Sequence, residues 1–400
     1  MMYLNMAIGS AHGWGVCGKH IALEMARLGP LRIVAEPLDT AAIGDPLEYH
    51  ALRGLVLPRA RRDPLASVAR PQILDGPLLQ GIGDERLVPR DWSVRGTSTV
   101  GYTFFESNLL QPAWIENGRR YFDRIVAGST WCAWILAEAG LAGVGTAIQG
   151  VDTALFHPRC DAEKCREFLE DKFVVFSGGK FEFRKGQDIV IRAYKALQDR
   201  HEDVMLVNAW HNPWPAVFET MRRSALIRFS PGSGRGDEMI NRVLADNGID
   251  LERVITCPRQ LNSAMARIYH NTDAGFFPNR CEGGTNLALM EYMACGKPVI
   301  AVDGTGHADI VNGSNALVIA TKGETILRDD DGVAVARWPE PDLDDAIDKL
   351  ERAYQNQEKL RDLGRQAGVD LAKFTWRRTA EMLRRIIHEV NGAVEVRHPL

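Results

Sequence analysis

Short apolar runs of strand length alternate with helical segments along this chain, and the alternation restarts near the middle. In the first half, a helical pattern follows a glycine-rich loop, and the runs typical of strands are 3–9, 31–36, 99–106 and 123–129. In the second half, a helical pattern at 187–201 accompanies strand patterns at 172–179, 203–210, 253–258, 273–278 and 297–304. Such alternation is typical of parallel sheets that helices cover on both faces.

A polar stretch at 157–172 separates the two series, and each series has about the length of one doubly wound domain. We therefore predict an α/β fold with two Rossmann-like, doubly wound domains. Residues 1–165 would form the first domain and residues 166–375 the second. The apolar stripe at 375–390 predicts a final helix, so residues 376–400 would pack back across the domains.

Charge and cysteine content exclude several classes of protein. The formal net charge is −4, and neither half is strongly basic, which argues against bulk binding of nucleic acid. One basic run, Arg59 to Arg62 with Arg70 nearby, is either a solvated loop or a contact with an anionic acceptor or a membrane surface. The seven cysteines form no CxxC pair, which argues against a zinc site and for reduced thiols.

We read neither a signal peptide nor an apolar run of the roughly 18 residues that a spanning helix needs. These observations predict a cytoplasmic protein without a transmembrane segment. Peripheral contact with a membrane stays open, because the basic run near Arg59 would suit it.

The glycine-rich loop GWGVCG (13–18) matches the GxGxxG pattern of dinucleotide-binding proteins, and Glu36 ends the second strand pattern as their acidic residue does. In that pattern, however, the first glycine follows the strand directly, whereas three residues separate Gly9 from Gly13 here. An NAD-type dehydrogenase is therefore the less favoured interpretation. The loop can still face phosphates or sugar hydroxyls through free backbone N–H groups, or its glycines can serve only a tight turn.

The stretch RCEGGTNLALMEYMACGKPVIA (280–301) places a carboxylate, Glu291, inside an apolar helix pattern. Thr285 or Asn286 is a good N-cap, and Gly296 suits the C-terminal end, which predicts a helix over about 286–295. No residue one turn away from Glu291 can pair with it, so burial would be costly unless a ligand diol donates hydrogen bonds to it. The alternative is a solvated glutamate on the rim of the domain.

Two further features favour a phosphate-bearing ligand. The glycines before Thr285 lead into the predicted helix N-terminus, where bare N–H groups suit a diphosphate. In SGGKFEFRKGQD (177–188), Lys180 and Lys185 lie across a turn after a strand, and both amines could converge on phosphate oxygens. A solvated basic turn is the alternative for this pair.

With these residues identified, the chain resembles the retaining GT-B glycosyltransferases of the large family-four group, also called group 1. The resemblance rests on the N-terminal glycine loop and on four further segments: DRIVAGS (123–129), QGVDTALFHP (149–158), GGKFEFRKGQD (178–188) and EGGTNLALMEYMACGKPVIA (282–301). It implies the GT-B fold, in which two Rossmann-like domains face a cleft. The first domain would then bind the acceptor and the second the nucleotide-sugar donor.

The resemblance also implies roles for individual residues. Lys180 stands where the family usually has arginine, and with Lys185 it would bind the donor diphosphate. Glu291 would hold the ribose. Glu282 would reach the sugar hydroxyls, although eight residues separate it from Glu291 and the family motif has seven. The other residues that we expect in the cleft are Glu106 and His12 on the catalytic side and Gly15, Gly179, Gly284, Thr285, Asn286 and Leu287 around the donor.

The expected activity is therefore a retaining, hexosyl-type transfer from a nucleoside-diphosphate sugar, with UDP or GDP as the favoured nucleotide, to an acceptor hydroxyl. The family has no agreed protein nucleophile, and the leaving diphosphate is thought to help deprotonate the acceptor on the same face. The acceptor stays open among a glycan, a lipid-linked sugar, a protein and a modified nucleic acid. Alternative functions are a non-catalytic nucleotide-sugar binding protein and another GT-B-like enzyme, such as a phosphorylase or an epimerase.

Three adjacent carboxylates, Asp329 to Asp331, resemble the Asp-x-Asp cation site of the other glycosyltransferase architecture, GT-A. They lie between strand-like segments at 324–327 and 332–338, where Asp-Gly favours a hairpin turn. We therefore expect a solvated turn there, no metal and no cofactor besides the sugar nucleotide.

Overall fold

The computed structural model describes residues 1–35, 38–58, 63, 66–67, 69–159, 168–212, 214–230, 232–329 and 331–397. The basic run Arg59 to Arg62, the acidic Glu36 and the central Asp330 of the acidic run lie outside the described residues. Within the described ranges, no helix is both long and apolar enough to cross a membrane.

The first half forms one parallel sheet with helices around it. Its strands and helices are β1 (Met2–Asn5), α1 (Gly13–Leu28), β2 (Leu31–Ile33), α2 (Thr40–Ile43), α3 (Pro46–Arg53), β3 (Gln72–Ile73), β4 (Leu78–Ile82), β5 (Val94–Arg95), β6 (Thr99–Thr103), α4 (Pro112–Tyr121), β7 (Arg124–Ala127), α5 (Thr130–Glu138) and β8 (Gly145–Thr146). Six strands pair in the order β2-β1-β4-β6-β7-β8, and the pairs are parallel. β3 and β5 form a separate parallel pair.

The second half repeats this architecture. Its elements are β9 (Phe173–Lys180), α6 (Gln187–Gln198), β10 (Val204–His211), α7 (Pro215–Phe218), α8 (Gly236–Asp246), β11 (Val254–Thr256), α9 (Asn262–His270), β12 (Ala274–Phe277), α10 (Leu287–Ala294), β13 (Val299–Ala301), β14 (Leu317–Val318), β15 (Thr321–Arg328), β16 (Ala334–Pro341), α11 (Leu343–Gln355), α12 (Gln357–Leu371) and α13 (Trp376–Arg397). The parallel order is β11-β10-β9-β12-β13-β14. The two parallel sheets confirm the predicted α/β fold with two Rossmann-like domains.

Helices cover both faces of the sheet, so the side chains of the central strands are buried on both sides, and apolar residues suit these positions. β9 and β12 are buried along most of their length, and their side chains pack into the cores on either face of the second sheet. The last helix, α13, packs on α1, and Trp376, Leu383 and Ile387 join the core of the first sheet. The chain therefore returns to the first sheet after it has completed the second.

Two predicted elements differ from the structure. The sequence predicts the first helix over 20–29, but α1 begins seven residues earlier, at Gly13, because the His12 side chain caps it and the glycines of the loop are already helical. β4 was not predicted, since its sequence LLQGI contains glutamine and glycine in a short run, yet all five residues are buried. The predicted hairpin at the acidic run is confirmed, because β15 and β16 pair antiparallel.

Direct hydrogen bonds join the two sheets' loops. Ser129 Oγ donates to the Gly283 carbonyl oxygen at 2.6 Å, and Thr130 N donates to Asp309 Oδ2 at 2.8 Å. Near the other end, Asn262 N donates to the Ser10 carbonyl oxygen at 2.9 Å. These contacts bring loops at the carboxyl ends of both sheets together, which is where open α/β sheets bind ligands.

Candidate active site

A cavity of about 660 Å³ lies between the two sheets. Loops after β1, β4 and β6 line it from the first domain, and the end of β9, the turn after it and the start of α10 line it from the second. The predicted site residues that line this cavity are His12, Glu106, Gly179, Lys180, Lys185, Glu282, Gly284, Asn286, Leu287 and Glu291. Two others, Gly15 and Thr285, are not among its lining residues.

Gly15 was expected to offer its backbone N–H to the ligand, but that group already has a partner. His12 Nδ1 accepts a hydrogen bond from Gly15 N at 3.1 Å. The glycine instead allows the first turn of α1 to pack closely on Gly9. A Cβ atom at position 15 would lie only 3.2 Å from the Gly9 nitrogen. The N–H groups of this loop are therefore less available to phosphate than the sequence suggested.

His12 itself faces the cavity in a defined protonation state. Burial lowers its pKa from 6.5, and the nearby cations Arg259, Arg90 and Lys180 lower it further. The ring is therefore neutral at neutral pH. Because Nδ1 accepts from Gly15, the proton of the neutral ring is on Nε2, which can donate to a ligand oxygen.

Both carboxylate oxygens of Glu282 already have cationic partners within the protein. It is 4% exposed, and its Oε1 accepts from Lys185 Nζ at 2.5 Å while its Oε2 accepts from Arg184 at 2.9 Å. Asn279 Nδ2 also donates to Oε1. Burial alone would raise the pKa of Glu282, but Lys185 and Arg184 hold it at about 2. The carboxyl is therefore ionised and a weak base.

Arg184 is the site residue that the sequence analysis missed. Its guanidinium lies 3.3 Å from Glu106, 2.6 Å from Glu182 and 2.9 Å from Glu282, so it links both domains at the cavity wall. The signal was present, since Arg184 is next to Lys185 in the quoted turn. A single 3₁₀ turn over Phe183–Lys185 places both side chains at Glu282.

The two predicted lysines differ in their surroundings. Lys185 is 9% exposed and its Nζ lies 2.5 Å from Glu282, whereas the Lys180 side chain is one-third exposed and its Nζ lies 3.5 Å from Glu182 and 5.3 Å from the centre of the Trp214 ring. Burial lowers the pKa of Lys185, although Glu282 opposes that shift. Gly179, which directly precedes Lys180, has a φ of 120°, a conformation that favours glycine. Lys180 is therefore the cation that is freer to meet a ligand.

Glu291 has internal partners that the sequence analysis did not anticipate. It is 5% exposed, and its oxygens accept from Asn262 Nδ2 at 2.6 Å and from the Tyr269 hydroxyl at 3.1 Å. Both partners lie on α9, whereas the sequence argument considered only neighbours on the same helix. Burial raises the pKa of Glu291 to about 8 in spite of these hydrogen bonds. A solvated glutamate on the rim is therefore excluded.

The start of α10 also faces the cavity. Asn286 is the residue before the helix, as predicted, but its side chain makes no capping hydrogen bond and lies 3.3 Å from His307 Nε2. The Thr285 hydroxyl donates instead to the sulfur of Met290. Because no side chain caps this end, the N–H groups at the start of the helix remain suited to an anion.

Residues 171–329 match the family model described as Glycosyl transferases group 1. One curated relative is the D-inositol 3-phosphate glycosyltransferase of Paenarthrobacter aurescens, 24% identical over 244 residues, which are 60% of this chain and 50% of the relative. Another is the GDP-mannose-dependent alpha-(1-6)-phosphatidylinositol monomannoside mannosyltransferase of Mycolicibacterium smegmatis, 26% identical over 338 residues, which are 79% of this chain and 81% of the relative. The chain spans about half the length of the inositol-phosphate relatives that it matches.

Among solved structures, Anabaena HepE in complex with UDP-glucose superposes with a TM-score of 0.61 at 14% identity, and the match covers 98% of this chain and 99% of HepE. At this identity the likeness shows the fold alone. The GT-B fold is thereby confirmed, and so is the resemblance to group 1 glycosyltransferases.

Proposed function

We propose that this chain transfers a hexosyl group from a nucleoside-diphosphate sugar to an acceptor hydroxyl, with retention of anomeric configuration and without a metal ion. The observation that carries the proposal is the meeting of Lys180, Arg184 and Lys185 with the uncapped start of α10 around one cavity. The N–H donors of three cationic side chains and of a helix N-terminus suit the oxygens of a diphosphate. HepE, which has the same fold, holds UDP-glucose.

The donor would lie along the second domain. Its diphosphate would receive hydrogen bonds from Lys180, from the cavity face of Lys185 and from the N–H groups at Asn286 and Leu287. Glu291 lines the same cavity and would accept hydrogen bonds from the ribose hydroxyls. UDP and GDP are both candidates, since HepE holds UDP-glucose and the M. smegmatis relative is GDP-mannose-dependent.

The chemistry that we propose uses the leaving group as the base. The acceptor oxygen would bond to the anomeric carbon as the bond to the diphosphate oxygen breaks, and the acceptor proton would pass to that oxygen on the same face of the sugar. Lys180, Arg184 and Lys185 would stabilise the charge that develops on the diphosphate. Glu282 is a poor nucleophile, because its oxygens accept hydrogen bonds from Lys185, Arg184 and Asn279 and its pKa is about 2. This supports a route in which the leaving group, and not this carboxylate, is the base.

The acceptor hydroxyl would enter from the first domain, where His12 and Glu106 line the cavity. The neutral His12 ring, with its proton on Nε2, would donate a hydrogen bond to a sugar hydroxyl in this region. We also propose a cytoplasmic location, which is supported by the buried free thiols Cys17, Cys132, Cys257, Cys281 and Cys295.

Binding measurements test the donor site first. Calorimetry should show binding of UDP or GDP and of their glucose or mannose conjugates, and Lys185→Ala should weaken the diphosphate about 10- to 100-fold, as expected for one charged hydrogen bond, with a smaller effect on the free nucleoside. Lys180→Ala provides the same test with less risk to folding, because its side chain is one-third exposed. Lys195→Ala is the matched control, since Lys195 pairs with Asp199 on the surface of α6.

Turnover then separates an enzyme from a binding protein. Mass spectrometry should detect loss of the donor and a mass gain on an acceptor, and NMR of the product should show the donor's anomeric configuration. An inverted product would contradict the same-face route. Tight donor binding without turnover, across glycan, lipid-linked and protein acceptors, would favour a non-catalytic nucleotide-sugar binding protein instead.

A further inference from the structure

A second cavity of about 300 Å³ lies in the first domain beside the main one. Pro89 lines both cavities, the neighbouring Arg90 lines the main cavity, and Asp91 on the other side lines the second. The segment from Pro89 to Asp91 is therefore the wall between them. A molecule longer than one sugar that extends beyond this segment would contact both cavities.

The second cavity contains two arginines that both lie close to one aromatic ring. The Cζ atoms of Arg95 and Arg120 lie 5.8 Å and 5.4 Å from the centre of the Tyr121 ring. Arg95 is further fixed, because its guanidinium donates to the Arg120 carbonyl oxygen at 3.2 Å. Neither guanidinium forms an ion pair with an acidic side chain of the described residues. An anion in this cavity that contacts both guanidinium groups would offset the repulsion of these like charges.

The other lining groups suit a sugar more than a bare anion. The Trp92 ring lies 4.7 Å from the Tyr121 ring in an edge-to-face arrangement, so the cavity has an aromatic wall against which a sugar ring can pack. Asp91 supplies a hydrogen-bond acceptor and is fixed by Ser93, which donates to it through N and Oγ. Gln80 is buried at the cavity, where its oxygen accepts from Asn5 and its amide nitrogen has no acceptor among the described residues.

We propose that this second cavity binds an anionic sugar residue of the acceptor, either a sugar acid or a sugar phosphate. Arg95 and Arg120 would hold the anionic group, and Asp91 and Gln80 would bind hydroxyls of the same residue. Two arginines against one aspartate leave the lining with a net positive charge, and planar guanidinium groups match the geometry of carboxylate and phosphate alike. The proposal rests on the proposed function for the claim that the bound sugar belongs to an acceptor.

The first test measures binding without any donor. Saturation-transfer NMR and calorimetry would compare glucuronate, glucose 6-phosphate, glucose and inorganic phosphate. We expect at least one anionic sugar to bind about tenfold more tightly than glucose, as one or two charged hydrogen bonds require, and more tightly than inorganic phosphate. Equal binding of inorganic phosphate and of the tighter anionic sugar would contradict a sugar site, and absence of binding by every probe at millimolar concentration would overturn the proposal.

Matched variants then assign the site. Arg95→Gln and Arg120→Gln should each weaken the anionic sugar about tenfold, because each removes one charged hydrogen-bond donor. Arg119→Gln is the control, since Arg119 is on the same helix beside Arg120 but faces Glu116 and the Gly140 carbonyl oxygen. Equal affinity of the anionic sugar in all three variants would overturn the assignment.

The same variants distinguish failure of this proposal from failure of the proposed function. UDP binding, measured by calorimetry, should be unchanged in Arg95→Gln and Arg120→Gln, since neither arginine lines the main cavity. If anionic sugars bind and no nucleotide binds, the site exists but its role in an acceptor is wrong. If nucleotides bind and no anionic sugar binds, the donor site stands and this proposal falls.

Discussion

Glu282 and Glu291 lie at the two ends of one segment, and both are buried, yet their environments are opposite. Glu282 accepts from Lys185 and Arg184, and its pKa is held at about 2. Among the described residues, Glu291 accepts only from the neutral groups of Asn262 and Tyr269, and burial raises its pKa to about 8. Burial acts in the same direction on both carboxyls, so the charged partners decide the outcome.

The difference matters for what each carboxyl can do. Glu282 is ionised at neutral pH and pairs with two cations at the cavity wall, so under the proposed function it would position the side chains that bind the diphosphate. Glu291 is mostly protonated at neutral pH in the absence of ligand, so a ribose would meet a carboxyl that can still change its charge. Two glutamates in one motif therefore have separate roles, and four experiments can break or sharpen that contrast.

The largest effect should come from removing one charge of the ionic cluster. Glu282→Gln leaves Lys185 and Arg184 buried without their shared carboxylate, and we expect the free energy of unfolding to fall by roughly 3–5 kcal/mol. Glu291→Gln should cost well under half as much, because a neutral amide replaces a mostly neutral carboxyl: its oxygen can still accept from Asn262, and its N–H can donate to the Tyr269 hydroxyl. Urea unfolding at neutral pH measures both.

A control separates charge from shape in that comparison. The double variant Glu282→Gln with Lys185→Met removes the unpaired ammonium, so its loss of stability should be smaller than the sum of the two single losses. Equal losses for Glu282→Gln and Glu291→Gln would show that the charged partners do not distinguish the two sites.

The pH dependence of stability should differ next. Between about pH 4.5 and about pH 8, the folded chain keeps the Glu291 proton that the unfolded chain has lost. The stabilising contribution of this carboxyl is therefore full below about pH 4.5 and is lost as the pH rises through about 8. We expect the difference in unfolding free energy between wild type and Glu291→Gln to fall by roughly 2–3 kcal/mol over this range. This is about half of the free energy that the whole pKa shift represents, because water that enters the site stabilises the buried carboxylate.

Subtracting the Glu291→Gln curve cancels the other titrating groups, including the nearby charges of Asp152 and Lys19. A difference curve that is flat from about pH 4.5 to about pH 8 would mean that Glu291 is ionised in the folded chain. The contrast with Glu282 would then be lost.

How much of this contrast the sequence could predict depends on how far apart the partners lie along the chain. Lys185 and Arg184 are adjacent in a turn that the motif already marked, so a cationic donor site could be inferred from it. Asn262 and Tyr269 lie on another helix, 29 and 22 residues before Glu291. Helical periodicity does not indicate such a pair, and the sequence argument therefore left only a ligand or solvent as partners for the carboxyl.

The fold was predictable for a related reason. Strands such as β9 and β12 are buried on both faces and stand out as apolar runs, and the β15–β16 hairpin was marked by its Asp-Gly turn. β4 was missed because Gln80 and Gly81 interrupt its apolar run, although tertiary contacts bury the whole strand. The second cavity could not be predicted either, because its lining residues are spread over 71–121 and only the fold brings them together.

A smaller effect should appear in nucleotide recognition. Glu291→Gln keeps the shape of the side chain but cannot supply an ionised acceptor, so we expect UDP or GDP affinity to fall about fivefold, or about 1 kcal/mol, with the fold intact. The 2′-deoxy nucleotide should lose less, because it has one hydroxyl fewer to offer. Calorimetry on both nucleotides measures the ratio, and equal losses would mean that Glu291 does not contact the ribose hydroxyls.

The smallest effect is expected at a third carboxylate, which provides the solvated reference for the two buried ones. Asp329 Oδ1 accepts from Asp331 N at 3.1 Å and from Val333 N at 2.8 Å within the hairpin turn, and Asp331 is exposed. An asparagine oxygen can accept the same hydrogen bonds, so Asp329→Asn with Asp331→Asn should change stability by less than about 0.5 kcal/mol. Because the proposed function has Lys180, Arg184 and Lys185 stabilise the diphosphate, we also expect transfer in excess EDTA to stay within about twofold of the untreated rate, in wild type and variant alike. If chelation abolishes transfer and Mn²⁺ restores it, the cations around Glu282 do not suffice for the leaving group, and the role assigned to that cluster is wrong.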